Sequence, residues 1–225
     1  MFYETVTNEW GEVTYVPTLS GNLLLAAVIL ILLITAMFLA GKKSRRLSVR
    51  QLAFCAVAIA LGTVLSHLKL FHFPTGGSIT LFSMLIVCLP GYWFGLGAGL
   101  MTGIAYGVLQ ILIDPYVLFP AQLIVDYVLA FGALGLSGFF CNQKYGLLKG
   151  YAAGVSGRYL FSVLSGWIFF GSYAWEGWGA LPYSLVYNGI YIYAEALITV
   201  IVLLLPPVKS AMARVKKAAL ETQGG

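Results

Sequence analysis

About seven apolar runs, each close to the length needed to cross a ~30 Å hydrocarbon layer, follow one another through this chain with short polar links between them. That succession constrains the fold more than any other feature. At 1.5 Å of rise per residue, each run reads as one membrane-crossing helix, with tilt and short re-entrant ends allowed. The runs fall near residues 21–40, 50–68, 79–94, 96–113, 118–140, 147–170 and 182–205. Only 9% of the residues are charged, against roughly 25% in an ordinary soluble domain, while 60% are hydrophobic. The 225 residues therefore describe one all-α integral membrane domain, with no polar stretch long enough for a second domain in water.

Basic residues set the orientation. Glu4, Glu9 and Glu12 precede the first run and no Lys or Arg does, so this run reads as an uncleaved anchor with its N-terminus outside rather than a signal peptide. Lys42, Lys43, Arg45, Arg46 and Arg50 follow it. Lys144 and Lys149 lie between the fifth and sixth runs, and Lys209, Arg214, Lys216 and Lys217 follow the last. All three clusters fall on one side of a seven-span topology, which places that side and the C-terminus in the cytoplasm. The connection from Phe170 to Asn188 is then extracytoplasmic. It gathers Trp175, Trp178 and several other rings with polar tips beside one carboxylate, a composition suited to capturing a flat, polar or cationic small molecule.

Within the spans, Gly95, Gly99, Gly103 and Gly107 recur every four residues along one helix face, the pattern of a close internal helix contact. Polar residues at membrane depth are costly, and each needs a role. Asp126 lies about two turns below the outer end of its run, with Gln122 one turn above it and Tyr127 beside it. Ser162 and Asn188 lie at similar depth in the next two runs, roughly 10 Å below the outer surface. Three helices thus converge on a pocket open to the outside. The alternative is that Asp126 bonds a neighbouring Tyr or Ser and locks the bundle. Arg158 and Glu195 reach one level on adjacent antiparallel helices and read as a structural ion pair; without further acids or His they make a poor relay.

Catalytic and metal signatures are scarce. His67 and His72 flank an outer loop, and the sequence has no HExxH, GxSxG or Walker pattern. Cys55, Cys88 and Cys141 lack metal-ligand or redox spacing and read as packing residues. A binding or translocating subunit fits better than an enzyme, with no cofactor, metal or nucleic-acid partner.

Four segments, Gly76–Met84, Gln122–Phe131, Gly171–Trp178 and Tyr183–Gly189, resemble the thiamine-specific S components of energy-coupling factor (ECF) transporters. The similarity runs in order from about Leu47 to Pro206. It implies a six-helix membrane domain over 47–208, an additional N-terminal segment and anchor over 1–46, and a basic cytoplasmic tail over 209–225. It also implies a bacterial plasma-membrane protein that binds thiamine from outside. Such a protein works with a shared transmembrane subunit and two ATPase subunits. On this resemblance Asp126 faces the cationic thiazolium end, followed by Tyr127, while Tyr116, Tyr183, Asn188 and Phe170 line the ligand. Ser162 stands where the family commonly has His.

Thiamine, a flat aminopyrimidine joined to a permanent cation, suits one carboxylate, aromatic faces and amide or hydroxyl groups. Ala56 and Ala60, four apart in the second run, resemble the small-residue motif by which S components contact the shared subunit. Two other readings stay open. One is an S component for another heteroaromatic vitamin or a thiamine precursor. The more distant one is a membrane-embedded enzyme using Asp126 and a loop His.

Overall fold

The computed structural model describes residues 3–7, 13–18, 20, 47–73, 77–113 and 120–221. The expected anchor at 21–40 lies outside the described residues. Its flanking outer segment forms a β-hairpin of β1 (Tyr3–Thr7) and β2 (Val13–Pro17), in antiparallel register from Tyr3↔Pro17 to Thr7↔Val13. The backbone of β2 lies beside the turn at Gly171–Tyr173, on the side where the outer connections gather.

The bundle itself is built from six helices: α1 (Val49–His67), α2 (Ser83–Phe94), α3 (Leu96–Ile113), α4 (Ala121–Phe140), α5 (Gly146–Phe169) and α6 (Ala180–Leu204). Their limits follow the apolar runs to within a few residues, with one instructive departure. The run at 79–94 is not all helix. Ser78–Thr80 forms β4, paired antiparallel with β3 (Lys69–His72), so α2 keeps only 12 residues, roughly 18 Å. A short helix of this kind needs support at its outer end.

Glu195 provides it. Phe82, the residue before α2, is left-handed (φ 59°) and offers no side-chain cap. The buried Glu195 carboxylate, reaching over from α6, accepts from the Met84 N–H at 3.1 Å and the Ser83 hydroxyl at 3.2 Å through one oxygen. Through the other it accepts from the Thr80 hydroxyl at 2.6 Å and the Thr80 N–H at 3.3 Å. A carboxylate at the N-terminus of a helix satisfies donors that the helix leaves unpaired and meets the positive end of its dipole. The expected Arg158–Glu195 ion pair is therefore not formed. Four uncharged donors occupy the acid, and the Arg158 guanidinium lies 4.5 Å over the Phe131 ring instead.

Packing centres on α4. The glycine ridge of α3 lies against it: a methyl group placed on Gly99 would meet the Gly135 carbonyl oxygen at 2.6 Å, and on Gly103 the Gly132 Cα at 3.0 Å. On Gly107 it would run into the Tyr127 carbonyl. Gly95, the first of the series, has open space where a side chain would project; it ends α2 with φ 93°, a conformation that L side chains rarely adopt. The buried Ser137 hydroxyl of α4 donates to the Cys88 carbonyl at 2.7 Å, tying α4 to α2. Met84, Val87, Leu134, Tyr151 and Ile192 fill the space between α2, α4, α5 and α6.

At the cytoplasmic end, Ser48 and Gln51 form a capping box that starts α1. The expected basic tail forms a further helix, α7 (Pro206–Leu220), with two prolines in its first turn. Arg50 donates to the Ala218 and Glu221 carbonyls at 2.5 and 2.6 Å, and Lys216 sits 3.8 Å over the Tyr92 ring while donating to the Cys141 carbonyl. Burial lowers the Lys216 pKa below the usual lysine value. The segment is thus fastened across the inner ends of α1 and α2, by Arg50 of α1 and by its own Lys216.

Candidate functional site

Beneath the outer connections, α1, α3, α4, α5, α6 and the β3–β4 hairpin enclose a cavity. Of the residues expected there, Gln122, Asp126, Tyr127, Ser162, Phe170, Tyr183 and Asn188 all line it. Tyr116 lies outside the described residues. Trp175 and Trp178 do not line it; they stand half exposed above, edge to face at 5.1 Å, with Trp175 also edge to face with Tyr183 at 5.2 Å.

Asp126 owes its presentation to an unusual stretch of backbone. Ile124–Leu129 winds as a π-helix, whose wider turn occurs frequently at functional sites. Gln122, one turn above, donates its amide to Asp126 Oδ2 at 3.0 Å, which fixes the carboxylate in the cavity wall. The close passage of α3 at Gly107 presses on the Tyr127 backbone within this same stretch, so the glycine ridge and the site share a boundary.

The facing wall belongs to α6. Its N-terminal half carries Tyr183, Tyr187 and Tyr191 at four-residue spacing, which aligns them on one face. Tyr183 and Tyr187 stack at 5.3 Å, and Tyr187 meets Tyr191 edge to face at 5.8 Å. The ladder is pinned at several points. Tyr191 donates to Asn188 Oδ1 at 2.6 Å, and the Asn188 amide donates to the Ser184 carbonyl at 2.9 Å. The Ser184 hydroxyl in turn donates to the Val163 carbonyl of α5 at 2.8 Å. The Gly77 N–H donates to the Tyr187 hydroxyl at 3.3 Å, joining the hairpin to the ladder. A row of aromatic faces opposite one fixed carboxylate can hold a flat cation by stacking, cation–π attraction and charge.

Sequence reasoning missed Tyr187 and Tyr191, although the four-residue spacing that paired Gln122 with Asp126 was there to be read. It also missed that Arg158, Lys69 and Gln110 line the cavity. His67 and His72 do not; their ring nitrogens bond the Thr63 carbonyl and the Ser78 hydroxyl, both at 2.8 Å. Asp126 therefore has no His beside it for acid–base work among the described residues.

Comparison with known proteins places the chain in a family. Residues 52–215 match the family model described as Thiamine transporter protein (Thia_YuaJ). The Thiamine transporter ThiT of Bacillus subtilis (strain 168) is 32% identical over 169 residues, spanning 69% of this chain and 87% of that relative. A solved structure of ThiT from Listeria monocytogenes shares the fold with a TM-score of 0.59 at 29% identity, over 70% of this chain and 94% of that one. The matched region takes in nearly the whole six-helix bundle and the cavity within it, and the chain belongs to the thiamine transporter protein (Thia_YuaJ) family, a family of multi-pass membrane transporters and not of enzymes.

Proposed function

We propose that this chain binds thiamine in the cavity from the extracytoplasmic side and delivers it as the substrate-binding component of an ECF-type transporter. The observation that carries the reading is Asp126, held by Gln122 in the wall that faces the Tyr183–Tyr187–Tyr191 ladder, within a chain of the thiamine transporter family. The carboxylate takes the thiazolium charge and the rings flank the two heterocycles. Ser162 and Asn188 border the aminopyrimidine edge. Family membership sets aside the enzyme reading.

Titration of the purified protein by intrinsic Trp fluorescence tests the site. Thiamine binds without ATP, and Asp126→Asn weakens it about 100-fold, the equivalent of about 3 kcal/mol for a buried cation left without its counter-charge. Equal affinities for wild type and variant would take Asp126 out of the site.

Energy for concentrating a charged vitamin comes, in this reading, from separate ATPase subunits reached through a transmembrane partner. Ala56 and Ala60 are exposed on the outer face of α1, beside the exposed Val57, Leu61 and Val64. Small side chains at this spacing let a partner helix come close. The double variant Ala56→Leu, Ala60→Leu keeps thiamine binding but loses partner pull-down and most uptake of labelled vitamin. Normal assembly and uptake would move the docking surface elsewhere.

A further inference from the structure

At the end of the bundle opposite the cavity, α7 is fastened unevenly. Arg50 of α1 holds its far end through the Ala218 and Glu221 carbonyls, and Lys216, over Tyr92, grips α2. Near the start of α7 the polar contacts are of another kind. Lys209 of α7 lies 5.6 Å from the centre of the Tyr145 ring, and Lys144, from the α4–α5 connection, lies 5.4 Å from the same ring. Lys149 is a further exposed lysine one turn into α5, its N–H donating to the Tyr145 carbonyl at 3.1 Å. Tyr145 is itself exposed and left-handed at φ 59°, a conformation that bulky residues rarely take, and it sets one ring beside both ammonium groups. No acid offsets this charge. The sequence has none from Tyr127 to Trp175 or from Ala196 to Leu220, and Glu221 pairs with Lys217 at 3.9 Å. Two cations drawn to one aromatic ring repel each other, and an anion shared between them removes that cost.

The level of this cluster in the bundle selects the anion. Leu204 and Leu205 are exposed at the end of α6, and the Lys209 N–H, one turn on, donates to the Leu205 carbonyl at 3.0 Å. Phe139, shortly before Lys144, is exposed near the end of α4. Exposed apolar side chains of a membrane bundle belong in hydrocarbon, and lysines a turn beyond them carry their ammonium groups to the headgroup phosphates. We propose that Lys144, Tyr145 and Lys209 hold the phosphate of an anionic phospholipid, with its acyl chains along the Leu204–Leu205 side of α6. Lys149 adds to the local field. Basic clusters between the ends of membrane helices bind lipid headgroups by this combination of charge and position. The bound phosphate joins the α4–α5 connection to α7 and so fastens the near end of the strap. An acidic protein arriving from water would instead meet Arg214, exposed further along α7. None of this depends on which molecule fills the cavity at the other end of the bundle.

The experiment compares thermal unfolding of the full-length protein in discs of phosphatidylcholine alone and of phosphatidylcholine mixed with phosphatidylglycerol. The wild type melts about 5 °C higher in the mixed discs, and the shift shrinks in about 0.5 M salt. The double variant Lys144→Gln, Lys209→Gln loses the shift, while Lys144→Arg, Lys209→Arg keeps most of it. Arg214→Gln with Lys217→Gln removes the same charge from the rest of α7 and leaves the shift in place. Native mass spectrometry of protein released from the mixed discs finds a phosphatidylglycerol retained by the wild type and lost from the Lys144→Gln, Lys209→Gln protein. An unshifted wild type overturns the inference. So does equal loss of the shift in both charge-removing variants, which would mean a diffuse field rather than a site. Inorganic phosphate giving the same shift in phosphatidylcholine discs overturns the lipid as the source of the anion. Partner pull-down lost by the Lys144→Gln, Lys209→Gln protein, with no lipid-dependent shift in the wild type, assigns the cluster to an acidic protein surface instead.

Discussion

Glu195→Ala is expected to be among the most destabilising single substitutions in this protein, costing about 3–5 kcal/mol and lowering the melting temperature by on the order of 10 °C. The Thr80 and Met84 N–H groups and the Thr80 and Ser83 hydroxyls converge on that buried carboxylate. Removing the acceptor leaves the donors stranded and detaches the outer start of α2, which has no side-chain cap of its own. Glu195→Gln is milder, because one oxygen still accepts while the new amide group opposes donors. Arg158 replaced by Met costs much less than Glu195 replaced by Ala, and exchanging the two residues restores nothing, because they are not each other's partners. Thermal unfolding in detergent and in lipid discs, followed by Trp emission, measures all four proteins. Rescue by the exchange would reinstate the ion pair. A Glu195→Ala protein melting with the wild type would show that α2 is held by other means.

Gly103→Leu is expected to abolish accumulation of folded, binding-competent protein. A side chain there points into the backbone of α4 at Phe131 and Gly132, where nothing can rotate away. Overpacking of flexible side chains costs about 1–3 kcal/mol, and a contact against backbone exceeds that because a whole helix must move. Gly107→Ala is the graded version. Its added methyl meets the Tyr127 carbonyl within the π-helical stretch that carries Asp126, so thiamine affinity falls along with stability. Gly97→Leu is the control on the same helix, since open space surrounds that position. Size-exclusion chromatography and thiamine titration report the outcomes. A monodisperse, fully binding Gly103→Leu protein would mean that α3 and α4 do not meet along this ridge.

The sequence alone determined the features that depend on one helix at a time. Apolar length located the described spans, because it responds to the bilayer rather than to neighbouring helices. Four-residue spacing paired Gln122 with Asp126 and aligned the packing glycines, because a helix fixes which of its own residues share a face. Only the tertiary structure decided which faces meet. Arg158 and Glu195 lie at one depth on adjacent helices, yet the rotation of α5 and α6 about their axes turns the first toward the cavity and the second toward α2. Gly95 shares the ridge spacing of Gly99, but it falls at the turn between two helices and serves the backbone instead. Depth along a helix is written in residue count, whereas azimuth is settled by packing all six helices at once, and that packing brought Arg158 into the wall of the site.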